Sequence, residues 1–425
     1  MENAVWRQAS RRWSMKTLSK QTANKDTARI LLQDTFARLS GQLSFLDHLI
    51  EKSSLYNDQQ QQPERNNNNN KGIIKATTPI SMSKASSYRL LDWKGHLAKQ
   101  KNDEKTLHQA KKMFHNLQVL HSDTILLTEQ LLDAENIWCQ KDNNNNNLLE
   151  PANQSLLVSS MEQIRSRHAT TLETVADIVI AFRQLRQQPL PLDDNTLTFF
   201  LRGRLAVQIL CDHYVALYNT KKRPRKNGAV SVDCSLKPVL EEATTEAKHM
   251  CDAHYLVTPE VVLPPDDDYN YPSLTIIRPW VQHALVEVLK NAMVSSIEES
   301  NNNDNPLSPI LVRIEYDDKS GDDDDDCGYW LIHIEDQGLG LPDGDNPVKA
   351  FQFASVDQRW DRLDVQQSYA SVRSPLQSLG VGVPSSQWLM QHFGGDLHLV
   401  PNDKKGCTAI LRLPDNDDIE EFLPD

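Results

Sequence analysis

WVQHALVEVLKNAMVSSIEE, residues Trp280 to Glu299, carries two patterns at once. Val281, Ala284, Leu285, Val288, Leu289 and Ala292 recur at three- and four-residue steps, the spacing of a helix with one apolar face. His283, Glu287 and Asn291 fall at successive i+4 positions, each displaced by only about 40° around the axis. One stripe therefore presents an imidazole, a carboxylate and a carboxamide, with Lys290 beside them. Taken alone, this is the ordinary polar face of a surface helix. Two glycine-bearing turns downstream change that reading: Asp336-Gln337-Gly338-Leu339-Gly340 and Gly380-Val381-Gly382-Val383-Pro384.

The segments around the helix alternate as strands. Ile310 to Tyr316 (ILVRIEY) and Tyr329 to Glu335 (YWLIHIE) each have one apolar face, with the block Asp322 to Asp326 as the loop between them. Asp396 to Val400 and Thr408 to Leu413 form a second pair about Lys404-Lys405-Gly406. Leu236 to His254 and Pro384 to His392 read as helices. Helices interleaved with an antiparallel or mixed sheet predict an α/β sandwich, helices covering one face.

Upstream of Tyr218 nothing alternates. Ile30 to Ile50, Leu107 to Asn136, Ser159 to Leu185 and Thr196 to Tyr218 have helical periodicity, which predicts a bundle of long antiparallel helices. Phe199, Phe200, Leu205, Ile209, Leu210 and Leu217 are its expected core in the last of these. Gln59 to Gln62, Asn66 to Asn70, Asn143 to Asn147 and Asn301 to Asn303 cannot bury a core and read as expansions between elements. Lys221 to Lys226 (KKRPRK) separates the halves as a solvated linker.

Composition excludes several classes. A formal net charge of −13 over 425 residues argues against nonspecific nucleic-acid binding, which needs a basic face. The aspartate block and the acidic tail read as solvated, because like charges in a run repel. Cys139, Cys211, Cys234, Cys251, Cys327 and Cys407 have neither metal-ligand nor CxxC spacing, so reduced thiols are expected. No run of eighteen apolar residues predicts a transmembrane helix. The first 29 residues carry Arg7, Arg11, Arg12, Lys16, Lys20, Lys25 and Arg29 against Glu2 and Asp26. That is the composition of a mitochondrial targeting segment and equally of an ordinary basic N-terminus.

Helix, acidic-glycine turn and second glycine loop, in that order, resemble the ATP-binding domain of the GHKL superfamily, which includes DNA gyrase, histidine kinases and mitochondrial protein kinases. Eight of the fifteen glycines lie from Gly338 onward, as close backbone approaches to a nucleotide would demand. The resemblance implies that Asn291 offers an amide oxygen to Mg²⁺ and that Asp336, at a strand end, accepts from the adenine amino group. Gly338 and Gly340 would turn beneath the nucleotide. Gly380, Val381 and Gly382 would open a helix whose N-terminal dipole favours phosphate.

Within the superfamily the chain is similar to the mitochondrial 2-oxo-acid dehydrogenase kinases, the pyruvate dehydrogenase kinases and their branched-chain relative. Glu287-Val288-Leu289-Lys290-Asn291-Ala292-Met293 looks like their Glu-x-x-Lys-Asn-Ala-Met signature, and CDAHYLVTPEVV (251–262) like the segment before it. Ile164 to His168 resembles their Arg-x-Arg-His stretch, and Phe393-Gly394-Gly395-Asp396-Leu397 also fits. The resemblance implies that Glu287 is the general base for a substrate serine, tuned by His283, and that Lys290 and Thr408 join the nucleotide site. Three residues depart from the pattern. Ser378 stands at the first glycine of the phosphate loop, Cys407 stands where a threonine is usual with Thr408 one residue late, and the tail lacks an Asp-Trp pair.

The expected architecture is α+β in two domains, an N-terminal helical bundle followed by a GHKL-type α/β sandwich. Residues 1–29 form the possible targeting segment, 30–220 the bundle, 221–233 the linker, 234–414 the ATP-binding domain and 415–425 an acidic tail. The expected function is that of a Mg²⁺·ATP-dependent protein serine kinase of the mitochondrial matrix. It would act as a homodimer on the dehydrogenase component of a 2-oxo-acid dehydrogenase complex, pyruvate dehydrogenase first, docked on a lipoyl domain. A nucleotide-binding scaffold without transfer activity, or a histidine-kinase-like protein, is the alternative. The latter fits poorly, since neither His168-Ala169-Thr170-Thr171 nor His213-Tyr214 has the expected phospho-acceptor context.

Overall fold

The computed structural model describes residues 12–21, 24–60, 112–133, 151–184, 194–218, 227–265, 271–303, 306–318, 328–341, 347–354, 380–403 and 405–422, with the single positions 105, 108 and 109. The first half is helical: α1 (Met15–Ser19), α2 (Lys25–Gln60), α3 (residues 112–133), α4 (Pro151–His168), α5 (Thr171–Gln184) and α6 (Asp194–Tyr218). α6 is the hub. Phe200, Leu201, Leu205, Ile209, Leu210 and Leu217 are buried on it, and it packs on α2 and α4. Phe199, expected in the core, is only half-buried. The single helix expected over 159–185 is broken at Ala169–Thr170, where the Thr170 carbonyl accepts from Thr174 N and starts a new ladder.

The second half is the expected α/β layer. Five strands lie in the order β2-β4-β5-β7-β6: β2 (Val261–Val262), β4 (Ile310–Asp317), β5 (Tyr329–Glu335), β7 (Cys407–Pro414) and β6 (Asp396–Pro401). β2 runs parallel to β4, and every other pair is antiparallel, so the sheet is mixed. Its register aligns Val312 with Ile334, Ile332 with Leu411 and Leu397 with Leu411, all buried on one face. α8 (Arg278–Asn303) packs on that face, flanked by α7 (Leu236–Tyr255) and α9 (Gly382–Gln391). The other face, with Leu311, Leu331, Ile410 and Val400, stays partly exposed.

Four sequence expectations are corrected. The stretch 221–233 is not all linker: residues 231–233 belong to β1 (Ser231–Ser235), which pairs antiparallel with β3 (Ser273–Ile276). The segment 1–29 is not all detachable, because Trp13, Ser14, Met15 and Leu18 are buried and Ser14 caps α1 through a reciprocal bond with Thr17. The acidic tail is not all solvated, since Glu421 is 1 % exposed and Ser14 bridges Glu420. Gln59, Gln60 and the asparagines 301–303 are the last residues of α2 and α8, so those runs mark helix ends but begin inside the helices rather than between elements. The loop Asp322 to Asp326, the asparagine runs 66–70 and 143–147 and most of the stretch 347–377 lie outside the described residues. Among the described residues no helix is long and apolar enough to cross a membrane.

Candidate nucleotide and phosphoryl-transfer site

α8 shows why its pattern carried so much. All six apolar positions are buried, and so are Val286, Met293 and Ile297, because helices flank it on both sides and the sheet lies beneath. Only a narrow strip reaches solvent. His283 and Asn291 are exposed, and Glu287 between them is half-buried. The four-residue repeat continues to Ser295, which sequence reasoning passed over. The Ser295 hydroxyl accepts from Leu339 N at 2.9 Å and so docks the acidic-glycine turn onto the helix. A Cβ on Gly338 would overlap Ser295, so glycine there serves a close approach between turn and helix.

Glu287 is held on two sides. Lys290 Nζ donates to Oε1 at 2.7 Å, and the other oxygen lies against Gly382 at the start of α9, where a Cβ would overlap it. Lys290, expected beside the nucleotide, is 5 % exposed and engaged with Glu287, on the side of α8 that meets Cys251 of α7. Its ammonium thus holds one oxygen of the Glu287 carboxylate. A lysine at i+3 on a half-buried carboxylate is favoured because each charge would otherwise be desolvated without a partner.

The Asp336 turn is held from three directions. Its amide donates to Cys407 O at 3.0 Å, its Oδ1 accepts from Gly338 N at 2.8 Å, and its carbonyl accepts from Asn402 Nδ2 at 2.9 Å. Gly340 next in the turn has φ +73° and faces Gly406 of the hairpin turn before β7, which itself leaves room for the Asp336 carbonyl. Burial pushes the Asp336 carboxyl up to about 6, against the two backbone donors that lower it. Cys407 stands beside it, buried, with its thiol pushed up to about 12 by burial and then by the Asp336 charge. Strand alternation sends Thr408 the other way, where its hydroxyl donates to Asn402 Oδ1 at 2.7 Å. Thr408 lines a polar groove of about 1020 Å³ with Ser296, Gln337 and Lys405, apart from the α8 stripe. Cys407, not Thr408, is the residue that adjoins the Asp336 carboxylate.

The second glycine loop meets the stripe from the far side. Gly380 has φ +67° and its carbonyl accepts from Ala354 N at 2.9 Å, while Val381 is the N-cap of α9. Helix geometry leaves the amides of Gly382 and Val383 without intrahelical acceptors, and Pro384 has none to offer. α8, the 336–340 turn and the α9 N-terminus thus converge with oxygen donors on one side and amide donors on the other. Ser378 lies outside the described residues.

Comparison with known proteins agrees with that geometry. Residues 279–417 match the histidine kinase-, DNA gyrase B- and HSP90-like ATPase family. The chain is 26 % identical over 276 residues to the mitochondrial pyruvate dehydrogenase (acetyl-transferring) kinase isozyme 4 of Rattus norvegicus, covering 62 % of this chain and 63 % of that one. It is 26 % identical over 292 residues to the Drosophila melanogaster pyruvate dehydrogenase kinase, at 65 % and 67 % coverage. Against the Schizosaccharomyces pombe kinase it is 25 % identical over 264 residues, at 60 % and 57 %. The match thus spans about three fifths of the length of these relatives. The resemblance to the pyruvate dehydrogenase kinases, within the GHKL superfamily, holds along the chain beyond the ATPase domain itself.

Proposed function

We propose that the chain is an ATP-dependent protein serine kinase that phosphorylates the dehydrogenase component of a 2-oxo-acid dehydrogenase complex in the mitochondrial matrix, pyruvate dehydrogenase first. The observation that carries this reading is the Glu287 carboxylate, fixed by Lys290 and Gly382 one helical turn from the exposed Asn291. A site that only bound nucleotide would have no use for an oriented carboxylate on the α8 stripe in addition to Asp336.

In this reading Asp336 accepts from the adenine amino group, and the amides at the start of α9 receive phosphate oxygens. Asn291 suits Mg²⁺, a hard cation that keeps several waters and takes few protein oxygens. Mg²⁺ when bound would neutralise charge on the phosphate oxygens. Glu287 takes the proton from the incoming serine hydroxyl as its oxygen bonds to the γ-phosphorus, and ADP departs with the bridging oxygen's electron pair. Exposed His283, one turn away, tunes that carboxylate.

We read the halves as two domains, the helical one docking on a lipoyl domain. The partly uncovered sheet face supports a homodimer. Cys407 beside Asp336, where a hydroxyl is usual, favours the second reading, a nucleotide-binding scaffold. Incubation with labelled ATP, Mg²⁺ and purified 2-oxo-acid dehydrogenase complexes decides between them: label on the dehydrogenase component supports the kinase, and ATP binding without transfer to any complex supports the scaffold.

A further inference from the structure

After β7 the chain leaves the sheet and inserts an acidic side chain into the helical region. Glu421 accepts from Arg38 Nη2 at 2.5 Å and Nη1 at 3.0 Å, and from the Trp13 amide at 3.0 Å. Its Oε2 stands 3.0 Å from His392 Nε2. Arg38, fully buried, also donates to Asp34 at 3.2 Å and to the Ala206 carbonyl at 2.8 Å, and the Trp13 indole closes the ring on Asp34 at 2.6 Å. Backbone bonds from Glu421 N to Trp13 O and from Phe422 N to His392 O, both 2.7 Å, lock the strand in place. Burial alone would raise the Glu421 carboxyl, but Arg38 and His392 hold it down to about 2.

Stability by itself does not account for such a cluster, since buried ion pairs are often replaced by apolar groups without loss. Its attachment points do. His392 is the C-cap of α9, and its ring meets Trp280, in the first turn of α8, at 5.3 Å. α9 therefore touches Glu421 at one end and, through Gly382, Glu287 at the other. A ten-residue helix is a rigid rod of about 15 Å, so a shift at His392 is transmitted to Gly382. Arg38 and Glu421 both lie outside the matched ATPase region, 279–417.

We propose that Glu421 is a positioning residue for phosphoryl transfer. Held by Arg38, it anchors α9 through His392 and keeps Gly382 seated against the Glu287 carboxylate, so the alignment of the base depends on contact with the helical region. The rate effect rests on the kinase reading; the mechanical effect does not.

The test uses the full chain with Glu421→Gln, which keeps the volume and removes the charge. Single-turnover transfer at saturating Mg·ATP should fall about tenfold or more, while the ATP Kd stays within about threefold. Hydrogen exchange should quicken in residues 382–391 and 280–291. His392→Gln, which leaves the Arg38–Glu421 pair intact, should show the same split more weakly and covers the case in which Glu421→Gln does not fold. Unchanged transfer, or faster exchange confined to residues 13–38 or spread evenly over the chain, overturns the proposal. If the wild type phosphorylates no dehydrogenase, the kinase reading fails, and the exchange pattern still decides whether Glu421 positions α9.

Discussion

Replacing Asp336 with asparagine should make the protein more stable and a worse nucleotide binder. The carboxyl titrates near 6 when folded, mainly through burial, and near its ordinary 3.8 when unfolded. A carboxyl raised by folding costs stability as pH rises through that window, since the unfolded chain ionises first. Fully developed above pH 6, that cost is about 3 kcal/mol. The substituted carboxamide would keep the acceptor for Gly338 N and carry no charge. D336N should therefore gain up to about 3 kcal/mol over wild type at pH 7.5, less whatever its new N–H₂ group leaves unpaired. At pH 4 the gain should shrink to about 0.5 kcal/mol, because the folded carboxyl is then neutral and the unfolded one only about half ionised. Losing a charge-assisted acceptor for the adenine amino group should meanwhile weaken ATP by about ten- to a hundredfold. Urea denaturation without nucleotide at pH 7.5 and 4, with calorimetric titration of ATP, reads both effects. A variant whose stability difference does not change with pH, or which binds ATP like wild type, refutes the reasoning.

Three further outcomes follow from the geometry. Glu287→Gln should leave ATP affinity nearly unchanged and cut single-turnover transfer by roughly two to four orders of magnitude, the range for a positioned base; equal rates would remove the assignment. Gly382→Ala places a methyl where the Glu287 carboxylate sits, so transfer should fall at least about tenfold with little loss of thermal stability, and a normal rate would show that the approach is not needed. Glu421, depressed on folding, contributes stability that is present above about pH 4.5 and lost as pH falls towards 2. The stability gap between wild type and Glu421→Gln should therefore narrow on acidification below pH 4.5, and a gap as large at pH 2.5 as at pH 7 would contradict the pairing.

Much of the site was legible because helical spacing is a local property. The stripe His283, Glu287 and Asn291 and the buried face behind it follow from 3.6 residues per turn, and the strand pairs from alternation. What escaped was non-local. Thr408 seemed a fair substitute for a displaced hydroxyl, yet one residue along a strand reverses the face, and Cys407 took the place. Lys290 looked like a cleft residue until its partner was seen three positions back. β1 was missed because SVDCS alternates weakly and gains its order from pairing with β3. The acidic tail looked solvated because Glu421, its single buried member among the described residues, is indistinguishable in composition from its exposed neighbours; its partners Arg38, Trp13 and His392 are all distant in sequence, Arg38 by 383 positions.

The junction of Trp13 with Glu421 spans 408 positions. During synthesis α1 and α2 are made early, and Arg38, with Asp34 one turn away, must wait for 383 more positions before Glu421 exists. Until then the arginine either stays hydrated, keeping that part of the helical region open, or is enclosed without its main partner at a cost of several kcal/mol. A late segment is thus the one that lets an early one close. A product that stops short of residue 421 would retain every residue of the nucleotide site and still lack the charge that completes its support.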